Sequence, residues 1–208
     1  MSTEHSFFWR CAQVIAQILT RLLFNLKVVG QENIPKRGGA LIVSNHQSNL
    51  DPIVLAADLH RPLNFVAKAE LFKYLLGAWA MRRLNAFPLR QGHGDVGALK
   101  ETIHRLQEGH LLNIFPEGAR STDGAIHPLQ KGVALIIRRA NVPVIPAIIV
   151  GTYDAWPMHR WIWRMAPVRV KFGPPLHLDG LRTDEEITAV IERELHRMFA
   201  EMNGSSKS

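Results

Sequence analysis

Ala40-Leu41-Ile42-Val43-Ser44-Asn45-His46-Gln47-Ser48-Asn49-Leu50-Asp51-Pro52 opens as an unbroken apolar run and ends in polar turn residues before a proline. A run this short, bounded by turn chemistry, reads as a strand buried on both faces. Its polar continuation then falls at the strand's carboxyl end, where open α/β sheets carry their chemistry. A histidine that removes a proton needs a second group to fix which ring nitrogen carries hydrogen, and a carboxylate on a nearby turn can do this. His46 and Asp51 are therefore a candidate base and its orienting partner. The plainer alternative is a loop histidine beside an aspartate that caps the helix begun by Pro52.

Outward from this stretch the chain alternates. Apolar strand candidates at 40–43, 64–67, 85–89, 111–115, 142–150 and 167–172 are separated by helical candidates at 52–59, 70–83, 95–108 and 128–140. Strands alternating with helices predict an α/β fold, a mostly parallel or mixed sheet with helices on both faces. Thr183-Asp184-Glu185-Glu186 has the form of a capping box and opens a last helix with Ile187, Val190, Ile191, Leu195 and Met198 on one side. The 208 residues are expected to form an N-terminal amphipathic membrane-associating segment over 1–30, one domain over 31–202 and a frayed tail over 203–208.

Residues 7 to about 26 place Phe8, Cys11, Ile15, Ile18, Leu19, Leu22, Leu23 and Leu26 on one stripe, with Arg10, Gln13, Gln17, Arg21 and Asn25 opposite. The expectation is an amphipathic helix with its basic side in water, lying on a membrane or on the domain and not crossing a bilayer. A formal charge of +7 and a pI near 10.0 suit an anionic partner. The single cysteine, Cys11, excludes an intramolecular disulfide framework and cysteine-rich metal sites. No secretory signal is evident, so the chain is expected at the cytoplasmic face of a membrane, peripheral or monotopic. Trp156, Trp161 and Trp163, interleaved with His159, Arg160 and Arg164, suit an interfacial surface or, alternatively, a core beside a charged face.

A second constellation, Pro116-Glu117-Gly118-Ala119-Arg120-Ser121, follows the strand ending at Phe115 and falls on the same rim as His46. Gly118 permits a tight turn and Arg120 offers a planar donor fork suited to phosphate. Glu117, repelled by phosphate, is expected to orient Arg120 or to accept from a substrate hydroxyl; the alternative is a surface turn with a local ion pair. Gly92-His93-Gly94-Asp95-Val96-Gly97 matches a dinucleotide fingerprint in form but would open the third strand unit, so it reads as a glycine loop. No Gly-x-Ser-x-Gly elbow or His-Glu-x-x-His pair is present.

Asn45-His46-(four residues)-Asp51, Phe115-Pro116-Glu117-Gly118-Ala119-Arg120-Ser121 and Val142-Pro143-Val144-Ile145-Pro146 together closely resemble the glycerolipid acyltransferase family, typified by 1-acyl-sn-glycerol-3-phosphate acyltransferase, over roughly residues 27 to 175. The resemblance implies transfer of a fatty acyl group from acyl-CoA or acyl carrier protein to the hydroxyl of a lysophospholipid at a membrane surface. It further implies no cofactor, no metal and no nucleic acid. By the same resemblance His46 is the base, Asp51 its partner, and Glu117, Gly118 and Arg120 shape the phosphate site. Arg90 and Lys131 assist, and Pro146 supports the acyl-donor side. Two departures are Ala119, where the family usually has threonine, and Gln91, where arginine is common. Lysophosphatidic acid is the leading acceptor, with other lysophospholipids, lyso-aminolipids and glycerol-3-phosphate as alternatives. A non-catalytic lipid-surface protein is the rival from another class.

Overall fold

The computed structural model describes residues 7–89 and 96–204. Seven strands, β1 Lys27–Val29, β2 Ala40–Ser44, β3 Leu63–Lys68, β4 Ala86–Leu89, β5 Leu111–Ile114, β6 Val144–Val150 and β7 Arg169–Phe172, form one sheet. Their order is β1-β7-β6-β2-β5-β3-β4. β6, β2, β5, β3 and β4 run parallel, whereas β7 is antiparallel to β6 and parallel to β1. The sheet is thus mixed, and the short edge strand β1 has no counterpart in the sequence-based expectation.

Side chains along β2 and β6 alternate between two apolar layers. Ile42, Ile145, Ala147 and Ile149 face the helices α1, Phe7–Phe24, and α2, Asp51–Ala57. Leu41, Val43, Val144 and Ile148 face α5, Gly132–Ala140, and α7, Asp184–Gly204. Because both faces are covered, every residue of β2 is buried, which is why this strand reads as a continuous apolar run. The last helix starts as its capping box dictates: Glu186 N–H donates to Thr183 Oγ1 at 3.1 Å, and Thr183 N–H donates back to Glu186 Oε2 at 3.0 Å.

Helix α1 departs from expectation in its orientation. Part of its polar stripe faces the domain: Gln13 Nε2 donates to the carbonyls of Ala56 and Leu59 at 3.0 and 2.7 Å, and Arg21, whose side chain is 55% exposed, donates to Asp58 Oδ1 at 2.9 Å, while Arg10 stays in solvent. The physical reason lies at the end of α2 and in the turn after it, where carbonyls and the Asp58 carboxylate accept from these side chains. Val14, Ile15, Ile18, Leu19 and Leu22 consequently point outward, Leu22 being 74% exposed. Among the described residues no helix is long and apolar enough to cross a membrane.

At the floor of the sheet, opposite the His46 rim, the buried Arg61 guanidinium binds three loop carbonyls. It donates to Pro35, Gly38 and Gly109 at 3.0, 2.7 and 2.6 Å. Arg61→Ala leaves these carbonyls short of donors and is expected to cost about 2–4 kcal/mol, given the usual value of charge-assisted bonds. Urea denaturation checks this, and the remoteness of Arg61 from the rim predicts an unchanged turnover per folded molecule.

Candidate active site

The chain doubles back immediately after β2. Asp51 opens α2, with Leu50 as its cap and Pro52 in the first turn, so the aspartate points into the preceding loop and not along its own helix. There Asp51 Oδ2 accepts from His46 Nδ1 at 2.8 Å, Gln47 N–H at 2.6 Å and Ser48 N–H at 2.7 Å. The Asp51 side chain is 0% exposed and that of His46 18%. A carboxylate on Nδ1 selects the tautomer protonated there, leaving the lone pair on Nε2. The imidazole also stacks on Phe115, with ring centroids 3.9 Å apart and planes 15° apart. Its position is therefore set by an edge contact and a face contact together.

Adjacent parallel strands bring the second constellation to His46. Val43 of β2 is paired with Ile114 of β5, so the segments that follow them emerge side by side. Ser121 N–H donates to the His46 carbonyl at 2.7 Å, and Gln47 Nε2 donates to the carbonyl of Gly124. On the other flank Asn45 forms a reciprocal pair with Ile149 of β6, at 2.9 and 2.8 Å.

Glu117 takes a place that the sequence did not suggest. Its Oε1 accepts from His46 N–H at 2.7 Å and its Oε2 from His127 N–H at 2.9 Å, and the residue is only 6% exposed. Among the described residues no ion pair joins it to Arg120, and each of its oxygens accepts from a backbone N–H. It ties the two loops together. Burial pushes its carboxyl above the ordinary value, while the two backbone N–H bonds and the nearby His46 and His127 oppose that shift.

Gly118 and Arg120 lie on the same turn, Gly118 exposed at φ +73° and Arg120 half-buried. Lys131 is exposed at the start of α5, where the loop returns; its backbone neighbour Gln130 closes the loop by donating to the Pro116 carbonyl at 2.7 Å. Pro146 lies in a strand and not in the rim loops. It is buried within β6, opposite Val43, and its carbonyl accepts from Gly173 N–H at 2.8 Å. A proline is tolerated there because β7 has already ended at Phe172, so no ladder donor is required on that side. Arg90 and most of the 92–97 glycine loop lie outside the described residues.

The segment between Arg120 and Lys131 contains partners that sequence reasoning missed. Ser121 Oγ donates to Asp123 Oδ1 at 2.9 Å and accepts from Gly124 N–H at 2.9 Å, and His127 Nε2 lies 3.0 Å from Asp123 Oδ1. Ser-Thr-Asp-Gly is a recognisable turn sequence, so its compactness was available in principle. Its contact with His46 was not, because that depends on the pairing of β2 with β5.

A partly buried imidazole, oriented from behind by a buried carboxylate at the carboxyl rim of a mixed α/β sheet, is an arrangement that can remove a proton in group transfer. The family model described as Acyltransferase matches residues 25–150, and the chain belongs to that family. It is 31% identical over 170 residues to the chloroplastic 1-acyl-sn-glycerol-3-phosphate acyltransferase LPAT1 of Arabidopsis thaliana, covering 80% of this chain and 48% of that protein. The 1-acyl-sn-glycerol-3-phosphate acyltransferase of Bacillus subtilis is 28% identical over 186 residues, covering 88% of this chain and 90% of that one. The crystal structure of the 1-acyl-sn-glycerophosphate (LPA) acyltransferase PlsC from Thermotoga maritima superimposes with a TM-score of 0.81 at 31% identity, covering 93% of this chain and 79% of that chain. The chain spans about half the length of the chloroplastic relatives it matches.

Glu117→Ala strips both loops of a shared acceptor and is expected to cost roughly 2–4 kcal/mol and most of the activity, because two buried N–H groups are left unmade. Glu117→Gln isolates the charge. A carboxyl whose folded value is raised binds its proton more tightly when folded, so its contribution is full below the ordinary 4.5 and is lost as pH rises through the folded value. Urea midpoints measured across this range should show wild type losing stability relative to Glu117→Gln, then a constant difference above it.

Proposed function

We propose that the chain is an O-acyltransferase that moves a fatty acyl group from acyl-CoA or acyl carrier protein to the free hydroxyl of a lysophospholipid, 1-acylglycerol-3-phosphate before others. The observation that carries this reading is the 2.8 Å contact between His46 Nδ1 and the buried Asp51 carboxylate, which leaves Nε2 as the basic nitrogen at the rim. The acceptor hydroxyl gives its proton to Nε2 as its oxygen attacks the thioester carbonyl. Asp51 holds the imidazolium that forms, and the tetrahedral intermediate expels thiolate, which recovers the proton. No covalent enzyme intermediate is required. Arg120, with Lys131 at the start of α5, supplies cations for the acceptor's phosphate.

The acceptor is a membrane lipid, and the outward apolar stripe of α1 supports peripheral docking. A side of a helix that carries Ile15, Ile18, Leu19 and Leu22 into solvent gains free energy by entering the headgroup boundary. The active site then meets substrates that diffuse within the bilayer, at the cytoplasmic face.

His46→Ala is expected to lower acyl transfer by about 10²–10⁴-fold, the usual contribution of a general base, with circular dichroism unchanged. Asp51→Asn is also severely impaired, since an amide can present a donor to Nδ1 and favour the wrong tautomer. Mass-spectrometric detection of acylated product from acyl-CoA and a panel of lyso-acceptors is the direct assay; near-normal turnover by folded His46→Ala protein overturns the mechanism. In the same assay Arg120→Ala raises KM for the acceptor far more than for the donor.

Ile18→Asp with Leu22→Asp tests the docking of α1 without disturbing its packing, because both side chains point away from the domain. Co-sedimentation with lipid vesicles should be lost while thermal stability is retained.

A further inference from the structure

The segment that follows β6 displays apolar side chains on a framework that is itself well bonded. After α6, Thr152–Ala155, the chain runs through Trp156 to Met165. Trp161 is 98% exposed, Ile162 78% and Met165 74%. Internal bonds hold the loop that presents them: Arg164 N–H donates to the Ala155 carbonyl at 2.8 Å, Trp156 Nε1 to the Arg160 carbonyl at 3.0 Å, and Arg164 Nε to the Asp154 carbonyl at 2.6 Å. Apolar groups held in water on a fixed frame have a different meaning from a collapsed or frayed loop.

The loop is also packed against α1, through the buried Phe24 at the end of the helix. The rings of Phe24 and Trp163 meet edge to face with centroids 5.7 Å apart, joining the loop to the end of α1. At the other end of the helix Phe8 meets Trp79 of α3, Leu75–Arg83, at 5.1 Å. Ring contacts thus hold the loop and α3 against the two ends of α1, and each of the three elements carries exposed apolar side chains. Exposed Arg160 is interleaved with the loop's apolar residues, Arg164 holds its guanidinium 3.5 Å from the Asp154 carboxylate, and the chain as a whole carries +7. Tryptophan interleaved with arginine suits the boundary between acyl chains and anionic headgroups, where the ring lies at the interface and the cation reaches phosphate.

We propose that residues 152–165 form a second membrane-contact element, which docks on an anionic phospholipid surface beside α1 and holds the candidate catalytic loop at a set height above it. This rests on the reading that the chain acts at a membrane on a lipid acceptor. The loop is joined to the site at two points. Ser48 Oγ donates to the Trp156 carbonyl at 2.6 Å, while the N–H of the same serine donates to Asp51 Oδ2 at 2.7 Å. Tyr153 Oη donates to the Thr122 carbonyl at 2.8 Å, in the loop that carries Arg120. Docking of the tryptophan loop therefore positions both halves of the site relative to the lipid.

The test is a double variant, Trp161→Ala with Ile162→Ala, which leaves α1 intact and removes only exposed side chains. Co-sedimentation with vesicles of phosphatidylcholine and phosphatidylglycerol should show an apparent affinity about tenfold or more below wild type, from the apolar area withdrawn from the interface. Trp161→Phe with Ile162→Leu should restore most of it. Turnover of vesicle-borne acceptor should fall with binding, and turnover of a short-chain, water-soluble lyso-acceptor should not. Unchanged vesicle binding by the double variant overturns the proposal. So does a wild-type dimer in analytical ultracentrifugation that the double variant converts to monomer, since the surface is then a contact between copies. The binding arm needs no turnover: a wild-type protein that acylates no acceptor, paired with weakened vesicle binding by the variant, sinks the enzymatic reading and supports this one.

Discussion

The Asp51 carboxylate is fully buried beyond the end of β2, and the geometry of the rim follows from the donors that its Oδ2 gathers. A buried carboxylate requires donors, and three converge on Oδ2: two backbone N–H groups of the loop and the His46 ring. That requirement folds residues 46–50 back on themselves, selects the histidine tautomer and starts α2 at once. Phe115 then closes one face of the ring. Imidazole, carboxylate and helix start are one arrangement, so a change at any of them is felt by the others.

The rim holds a second buried carboxylate with a different task. Glu117 accepts only from backbone, one N–H from each of two loops, and so acts as a tie between the loop after β2 and the loop after β5. Chemistry alone does not separate the two acids. Environment does: Asp51 faces a titratable ring at its oxygen, whereas Glu117 meets that residue only through its main chain. The order β6-β2-β5 makes both possible, by placing the loops after three neighbouring strands within hydrogen-bonding reach.

Helix α1 shows how far amphipathicity can mislead about direction. Periodicity reports that a helix has two unlike faces; it does not report which one meets water. Here the carbonyls at the end of α2 and the Asp58 carboxylate recruit Gln13, Gln17 and Arg21 inward. The apolar side is left outside, alongside the tryptophan loop.

What the sequence by itself determined was local and periodic. The apolar run at 40–43, the alternation of strands and helices, the Thr183–Glu186 capping box and the pairing of His46 with Asp51 all rest on spacings of a few residues, over which the chain's own stereochemistry governs. Long-range packing settled the antiparallel placement of β7 with the edge strand β1, the burial of Pro146 inside β6, the backbone role of Glu117 and the inward turn of Gln13. Each of these depends on a partner distant in sequence: Glu117 lies 71 residues from His46, and Gln13 lies 43 from Ala56. A residue's type states which bonds it can make; the packing of the sheet decides which donor or acceptor is brought within 3 Å of it.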